Sequence, residues 1–187
     1  MLGFASGIVQ RAGARAGDIL VVTGHFGLQN AGLRILIDGA KAGEAFRKRA
    51  TRSVLRPSPD LRVGLALGRY LTSGMDSSDG LARSLHTLAR ASGVGFELSS
   101  LPIAEGVRKF ASENGLSSDE MVLEGGEEYV IVGTVSPRQL RHATEAAKRA
   151  GGRLILIGKA TQGPGQVVLR RGGSALAIRD EGWTHLR

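Results

Sequence analysis

The stretch Ser73-Gly-Met-Asp-Ser-Ser-Asp-Gly-Leu81 concentrates chemistry: Asp76 and Asp79 flank two serines, and a glycine follows directly. Two carboxylates and two hydroxyls in one short loop offer hard oxygen donors, the kind that magnesium takes while water and phosphate fill its remaining positions. The same aspartates also suit the N-terminus of a helix, where acidic side chains accept bonds from unpaired N–H groups and favour the positive end of the dipole. Spacing alone leaves both readings open. Leu81, Leu85, Leu88 and Ser92 fall at helical spacing, with Arg83, Thr87 and Arg90 on the other side, so an amphipathic helix is expected from about Asp79. A second candidate block, Leu123-Glu-Gly-Gly-Glu-Glu-Tyr129, joins paired glycines that allow close backbone approach to acids that could meet a ligand.

The elements that must position these residues alternate between strand and helix patterns. Ile19–Val22 reads as a short buried strand, Gln29–Ile37 as a helix, and Lys41–Val54 as a second helix stopped by Arg56-Pro-Ser-Pro59. Phe96–Leu98 reads as a strand, Pro102–Asn114 as a helix, and Ser117-Ser-Asp-Glu120 has the spacing of a capping box. Tyr129–Val135 reads as a strand, and Ser136-Pro137 opens a helix whose buried stripe is Leu140, Ala143, Ala147 and Ala150. Strands at Arg153–Ile157, Gln166–Arg170 and Ala175–Ile178 complete the pattern. His25 follows the first strand and reads as a loop histidine, since no motif supplies it with a partner.

Composition bounds the rest. A chain of 187 residues with 42% hydrophobic residues and few aromatics fits one α/β domain filled by aliphatic side chains. The absence of cysteine excludes disulfides and thiolate metal sites and suits a reducing cytoplasm. No apolar run reaches the roughly 20 residues that span a bilayer, so no membrane partner is expected. The formal charge of +8 raises the question of nucleic acid, and Lys41, Arg47, Lys48, Arg49, Arg52, Arg56 and Arg62 cluster in one segment. No aromatics are interleaved there to stack bases, so a solvated helix face is the favoured reading, nucleic acid is not expected, and attraction of polyanionic substrates is the alternative.

Met75-Asp-Ser-Ser-Asp-Gly-Leu81, with Ala91-Ser-Gly-Val-Gly95 after it, resembles the Met-Asp-x-Ser-Asp-Gly-Leu signature of thiamine-monophosphate kinases, in the superfamily of aminoimidazole ribonucleotide synthetase. The Leu123–Tyr129 block resembles the Gly-Gly-Glu-Asp-Tyr-Glu motif of the same kinases, at a matching distance. Arg11-Ala-Gly-Ala-Arg-Ala-Gly-Asp18 and Gly182-Trp-Thr-His185 extend the likeness. It covers the C-terminal part of that family. The resemblance implies an α/β (α+β) fold, a mixed sheet with helices on one face, and favours a helix over Leu61–Leu71 leading to a short strand at Ser73–Met75. It implies magnesium on Asp76 and Asp79, ATP contacts from Arg11 and Ser78, and contacts to thiamine monophosphate from Glu127 and Trp183, with His185 structural. No side chain is assigned a covalent catalytic role. Residues 1–16 are then an entry segment from a preceding domain and 17–187 the synthetase-like domain. The implied reaction moves the γ-phosphoryl group of ATP to thiamine monophosphate, giving thiamine diphosphate. The preceding domain would supply further acids and commonly the homodimer interface, so the chain alone is expected to be weak or inactive. Glu128 stands where the family usually has aspartate, and Val130 where a glutamate is often seen. The alternative from another class is a non-catalytic ligand- or anion-binding module that has kept this domain.

Overall fold

The computed structural model describes residues 7–182. Seven strands form one sheet: β1 (Ile19–Val22), β2 (Leu71–Ser77), β3 (Gly95–Leu98), β4 (Val130–Val135), β5 (Ile155–Thr161), β6 (Val167–Arg171) and β7 (Ser174–Ala177), in the order β2-β4-β1-β5-β3-β6-β7. All neighbours are antiparallel except β3 and β6, so the sheet is mixed, as expected. The first strand in sequence is central, with Val22 opposite Val132 on one side and Ile155 on the other.

Alternation along β1 divides the core. Leu20 and Val22 join the apolar cluster beneath helix α4 (Leu81–Ser92), whereas Val21 joins Val63 and Leu67 of α3 (Leu61–Leu67) and Ala143 and Ala147 of α7 (Leu140–Arg149) on the opposite face. The expectation of helices on one face is therefore corrected: both faces are covered, because Val21 and Val135 turn apolar side chains away from α4 and need a second layer. A third cluster holds α1 (Leu28–Ile37), α2 (Glu44–Leu55), α5 (Val107–Glu113) and α6 (Ser118–Leu123) together, with Phe46 stacked on Phe110 at 5.3 Å between centroids.

Helix α4 is the element nearest to its sequence pattern. Leu81, Leu85 and Leu88 are fully buried, each contributing roughly 1.5–3 kcal/mol by removal from water. Its end is a Schellman turn, with Gly93 at φ 68° and the Val94 N–H donating to the Ala89 carbonyl at 3.2 Å. It starts at Leu81, just after Asp79 as expected, but Gly80 is its N-cap, so neither aspartate caps it. Two other helices begin later than expected. Residues 101–104 cross against Phe26, whose N–H donates to the Pro102 carbonyl at 2.7 Å, so α5 starts at Val107 rather than Pro102. Ser136 instead makes a turn with Gln139, and α7 follows at Leu140.

Candidate functional site

Strand β2 runs through the first motif: it extends to Ser77, so Asp76 lies within the strand rather than at its exit. Asp76 pairs with Ile131 across the ladder, and both line an apolar cavity of about 470 Å³ with Tyr129, Leu61 and Leu65. Ser78 and Asp79 form the turn between β2 and α4, and the Ser78 hydroxyl donates to Asp79 Oδ1 at 3.3 Å. Asp76 and Asp79 are both exposed, so their oxygens are open to solvent and to any ligand above the corner.

The second motif is bound to the first by backbone. The Glu127 N–H donates to the Ser78 carbonyl at 2.7 Å, and the Tyr129 N–H to the Ser77 carbonyl at 3.0 Å. Glu127 and Tyr129 take positive φ, 62° and 50°, which non-glycine residues adopt only where the surroundings impose it. Gly80 makes this approach possible. Its φ of 103° and ψ of 160° belong to a region open essentially to glycine, and a Cβ there would stand 2.8 Å from the Leu123 carbonyl oxygen and 3.0 Å from that of Gly125. Ser84 of α4 tightens the corner from below, its buried hydroxyl 2.9 Å from the Gly80 carbonyl and 3.1 Å from the Ser77 hydroxyl.

Glu128, between the two strained residues, turns inward. It is only 6% exposed, and its Oε1 accepts from the Gly27 N–H at 2.6 Å. A second bond comes from the Gln29 backbone, so Glu128 caps α1, whose N-cap residue Gly27 has no side chain to do so. Burial pushes this carboxyl up to about 8, against the opposing pull of the two backbone donors. Sequence reasoning treats Glu128 as a departure in a substrate pocket; the structure gives it a capping role, which the chain separation of 101 residues hides. Val130, the other departure, is a buried core residue.

Of the remaining candidates, Arg11 is exposed in the segment beside β2, where Gly74 N–H donates to the Gln10 carbonyl at 3.0 Å. The Arg11 carbonyl accepts from the Ser92 hydroxyl at 3.3 Å, which ties this segment to the far end of α4 from Asp79. Trp183 and His185 lie outside the described residues. Gly182, the last described residue, packs so closely that a Cβ there would overlap the Asp79 carbonyl oxygen. The returning chain is held by ion pairs from Arg83 and Arg90 to Asp180 and by a His86 Nε2 contact with the Ile178 carbonyl at 2.9 Å.

Magnesium has a partial fit. Asp76, Asp79 and the Ser78 hydroxyl are hard oxygen donors at one corner, but among the described residues no group of three or more His, Cys, Asp or Glu side chains is placed to hold a metal. Such a donor set suits an ion that keeps waters or phosphate oxygens among its ligands, not one caged by this chain.

His25, which reads as a loop residue in the sequence, borders a second region at the same end of the sheet. A cavity of about 710 Å³ opens there, with Arg49, Arg52, Arg56 and Arg153 around it and Glu128 in its lining. Partial burial, and then Arg153, hold the His25 pKa below its ordinary value.

Residues 15–170 match the family described as AIR synthase related protein, C-terminal domain. The chain is 36% identical over 187 residues to the thiamine-monophosphate kinase of Nitrosopumilus maritimus (strain SCM1), covering 100% of this chain and 59% of that protein. It is also 36% identical over 186 residues to the thiamine-monophosphate kinase of Halobacterium salinarum, covering 98% of this chain and 58% of that one. Among solved structures, AaThiL complexed with AMPPCP and TMP superposes with a TM-score of 0.77 at 29% identity, over 95% of this chain and 54% of its own. The chain thus spans somewhat more than half the length of the relatives it matches. No helix among the described residues is long and apolar enough to cross a membrane.

Proposed function

Because the chain belongs to the family of the AIR synthase related protein, C-terminal domain, we infer that it provides the C-terminal part of a thiamine-monophosphate kinase. The reaction is transfer of the γ-phosphoryl group of ATP to thiamine monophosphate. Phosphoryl transfer asks little covalent chemistry of side chains; it asks for placement and for cations to offset phosphate charge. Asp76 and Asp79 would hold magnesium, which would supply that offset once phosphate and water complete its ligands. Ser78 would donate to an ATP phosphate, and Arg11, whose guanidinium is planar and permanently charged, would steady the nucleotide. Glu127 and Trp183 would place the acceptor. A cytoplasmic location belongs to this reading.

The observation that carries it is the pair of backbone bonds from Glu127 and Tyr129 to Ser78 and Ser77, which holds a proposed acceptor-binding acid beside the proposed metal-binding acids. The likeness to AaThiL complexed with AMPPCP and TMP supports the substrate pair. A non-catalytic module would have no use for two exposed carboxylates on this strained corner.

Turnover by this chain alone is expected to be weak or absent, because a preceding domain, in cis or in trans, would complete the metal and nucleotide sites. Calorimetric titration of thiamine monophosphate with magnesium and a non-hydrolysable ATP analogue tests the reading, on the chain joined to the N-terminal portion of a relative. Saturable binding lost in Asp79→Asn and weakened in Glu127→Gln is expected. A folded, joined protein that binds neither ligand would refute it.

A further inference from the structure

The basic cavity beside His25 is not used by the kinase reading. Its walls come from separate parts of the chain: α2 gives Arg49, Arg52 and Arg56, the approach to β5 gives Arg153, and the exit of β1 gives His25. Arg49 is engaged by Glu105, through the backbone carbonyl at 3.1 Å and the carboxylate at 3.6 Å. The side chains of Arg52, Arg56 and Arg153 have neither a hydrogen bond nor an ion pair among the described residues. Several other exposed cations, among them Arg47, Arg69, Arg108 and Arg138, also have no ion pair among the described residues, but none of them lines this cavity. Three guanidinium groups left free around one concavity concentrate unbalanced positive charge there.

The acids in the lining do not restore that balance. Glu105 is exposed and serves Arg49, while Glu128 faces the N-terminus of α1 and, with its pKa near 8, is mostly protonated at neutral pH. The volume lies within the roughly 300–1,000 Å³ of small-molecule sites, and guanidinium forks match phosphate oxygens in geometry as well as charge. Gln29 and Ser58 add polar groups to the lining, and Ile103 and Val130 an apolar floor.

We propose that this cavity is a binding site for a small molecule bearing a diphosphate or comparable polyanionic group, held by Arg52, Arg56 and Arg153. Its arginines lie away from the Asp76–Asp79 corner, although its lining reaches Glu128 and Val130, and Val130 pairs with Ser77 of β2. Strands β2 and β5 stand three places apart in the sheet, which sets Arg153, just before β5, on the order of 10–15 Å from the end of β2. The proposal holds whether or not the acidic corner phosphorylates anything, and it is tested without magnesium so that the corner does not contribute. No Phe, Tyr or Trp lines the cavity to stack bases, which favours a compact polyanion over a nucleic-acid strand.

The test is calorimetric titration of inorganic pyrophosphate into the metal-free chain, with circular dichroism to establish that each variant is folded. Saturable binding is expected that weakens at least tenfold in the Arg52→Gln/Arg153→Gln double variant. The distant Arg141→Gln is expected to leave it unchanged. No saturation by folded wild type at millimolar pyrophosphate would overturn the proposal. So would an equal loss in Arg141→Gln, which would mean a general charge effect. Tighter binding of a short single-stranded RNA than of pyrophosphate, lost in the same double variant, would reassign the surface to nucleic acid.

Discussion

The acidic corner and the basic cavity occupy one end of the sheet, yet backbone bonds fix the first while side chains from distant elements compose the second. At the corner, Glu127 and Tyr129 donate to Ser78 and Ser77, Gly80 removes the Cβ that would collide with the Leu123–Gly125 segment of the second motif, and Ser84 closes the turn from within the core. The arginines around the cavity instead project from α2 and from the loop before β5, and three of them meet no partner among the described residues. The contrast teaches where stability resides. Strained backbone persists only where its surroundings over-determine it, so the corner is coupled to the whole fold; exposed arginines can change with little effect on folding.

That contrast can be broken most severely at Gly80. Gly80→Ala is expected to lower the unfolding free energy by about 3 kcal/mol, because it adds strain at a positive φ and a collision with two carbonyl oxygens. Urea unfolding measures this, and a loss near zero would show that the two motifs separate freely. Glu128 is next, and its effect depends on pH. Its folded pKa of about 8 stands above the ordinary glutamate value of 4.5, so the native state keeps a proton that the unfolded chain gives up. Stability is then fully present below about pH 4.5, falls by a few kcal/mol as pH rises through about 8, and levels off above. Glu128→Gln retains an oxygen for the Gly27 N–H and should flatten unfolding profiles measured between pH 5 and 8.5; an unchanged slope would place the titration elsewhere. Ser84→Ala should cost about 1–2 kcal/mol, the penalty of leaving the buried Ser77 hydroxyl without its partner. The smallest effect is expected at the cavity, where Arg56→Gln should stay within about 0.5 kcal/mol of wild type in the same assay.

Legibility in the sequence follows the same division. Strand β1 and helix α4 could be read because burial there follows local periodicity: Leu81, Leu85 and Leu88 stand on one face, and a glycine ends the helix. Helices α5 and α7 begin later than their start signals because Phe26 captures residues 102–104 and Ser136 is spent on a turn. Strand β2 outgrows its expected length because β4 pairs with it along its whole course, which no local pattern announces. At the site, Asp76, Asp79 and Glu127 were legible as motif residues, and their adjacency follows from the fold. The capping role of Glu128 and the company of His25 with Arg153 were not legible, since each joins residues more than a hundred positions apart. The uncovered charge of Lys41–Arg62 was visible as a cluster, but only folding divides it into paired side chains such as Lys48 and unpaired ones such as Arg52.

The central place of β1 also bears on how the chain is made. Ile19–Val22 leaves the ribosome well before its partners: β4 is synthesised about 110 residues later, and β5 later still. At roughly 5–20 residues per second, this apolar strand waits on the order of 5–20 s with both hydrogen-bonding edges open. Helix α1 waits as long for Glu128. The nascent chain therefore passes through a period in which its future core is an exposed, unpaired template, when chaperone protection should govern its yield more than the stability of the finished fold does.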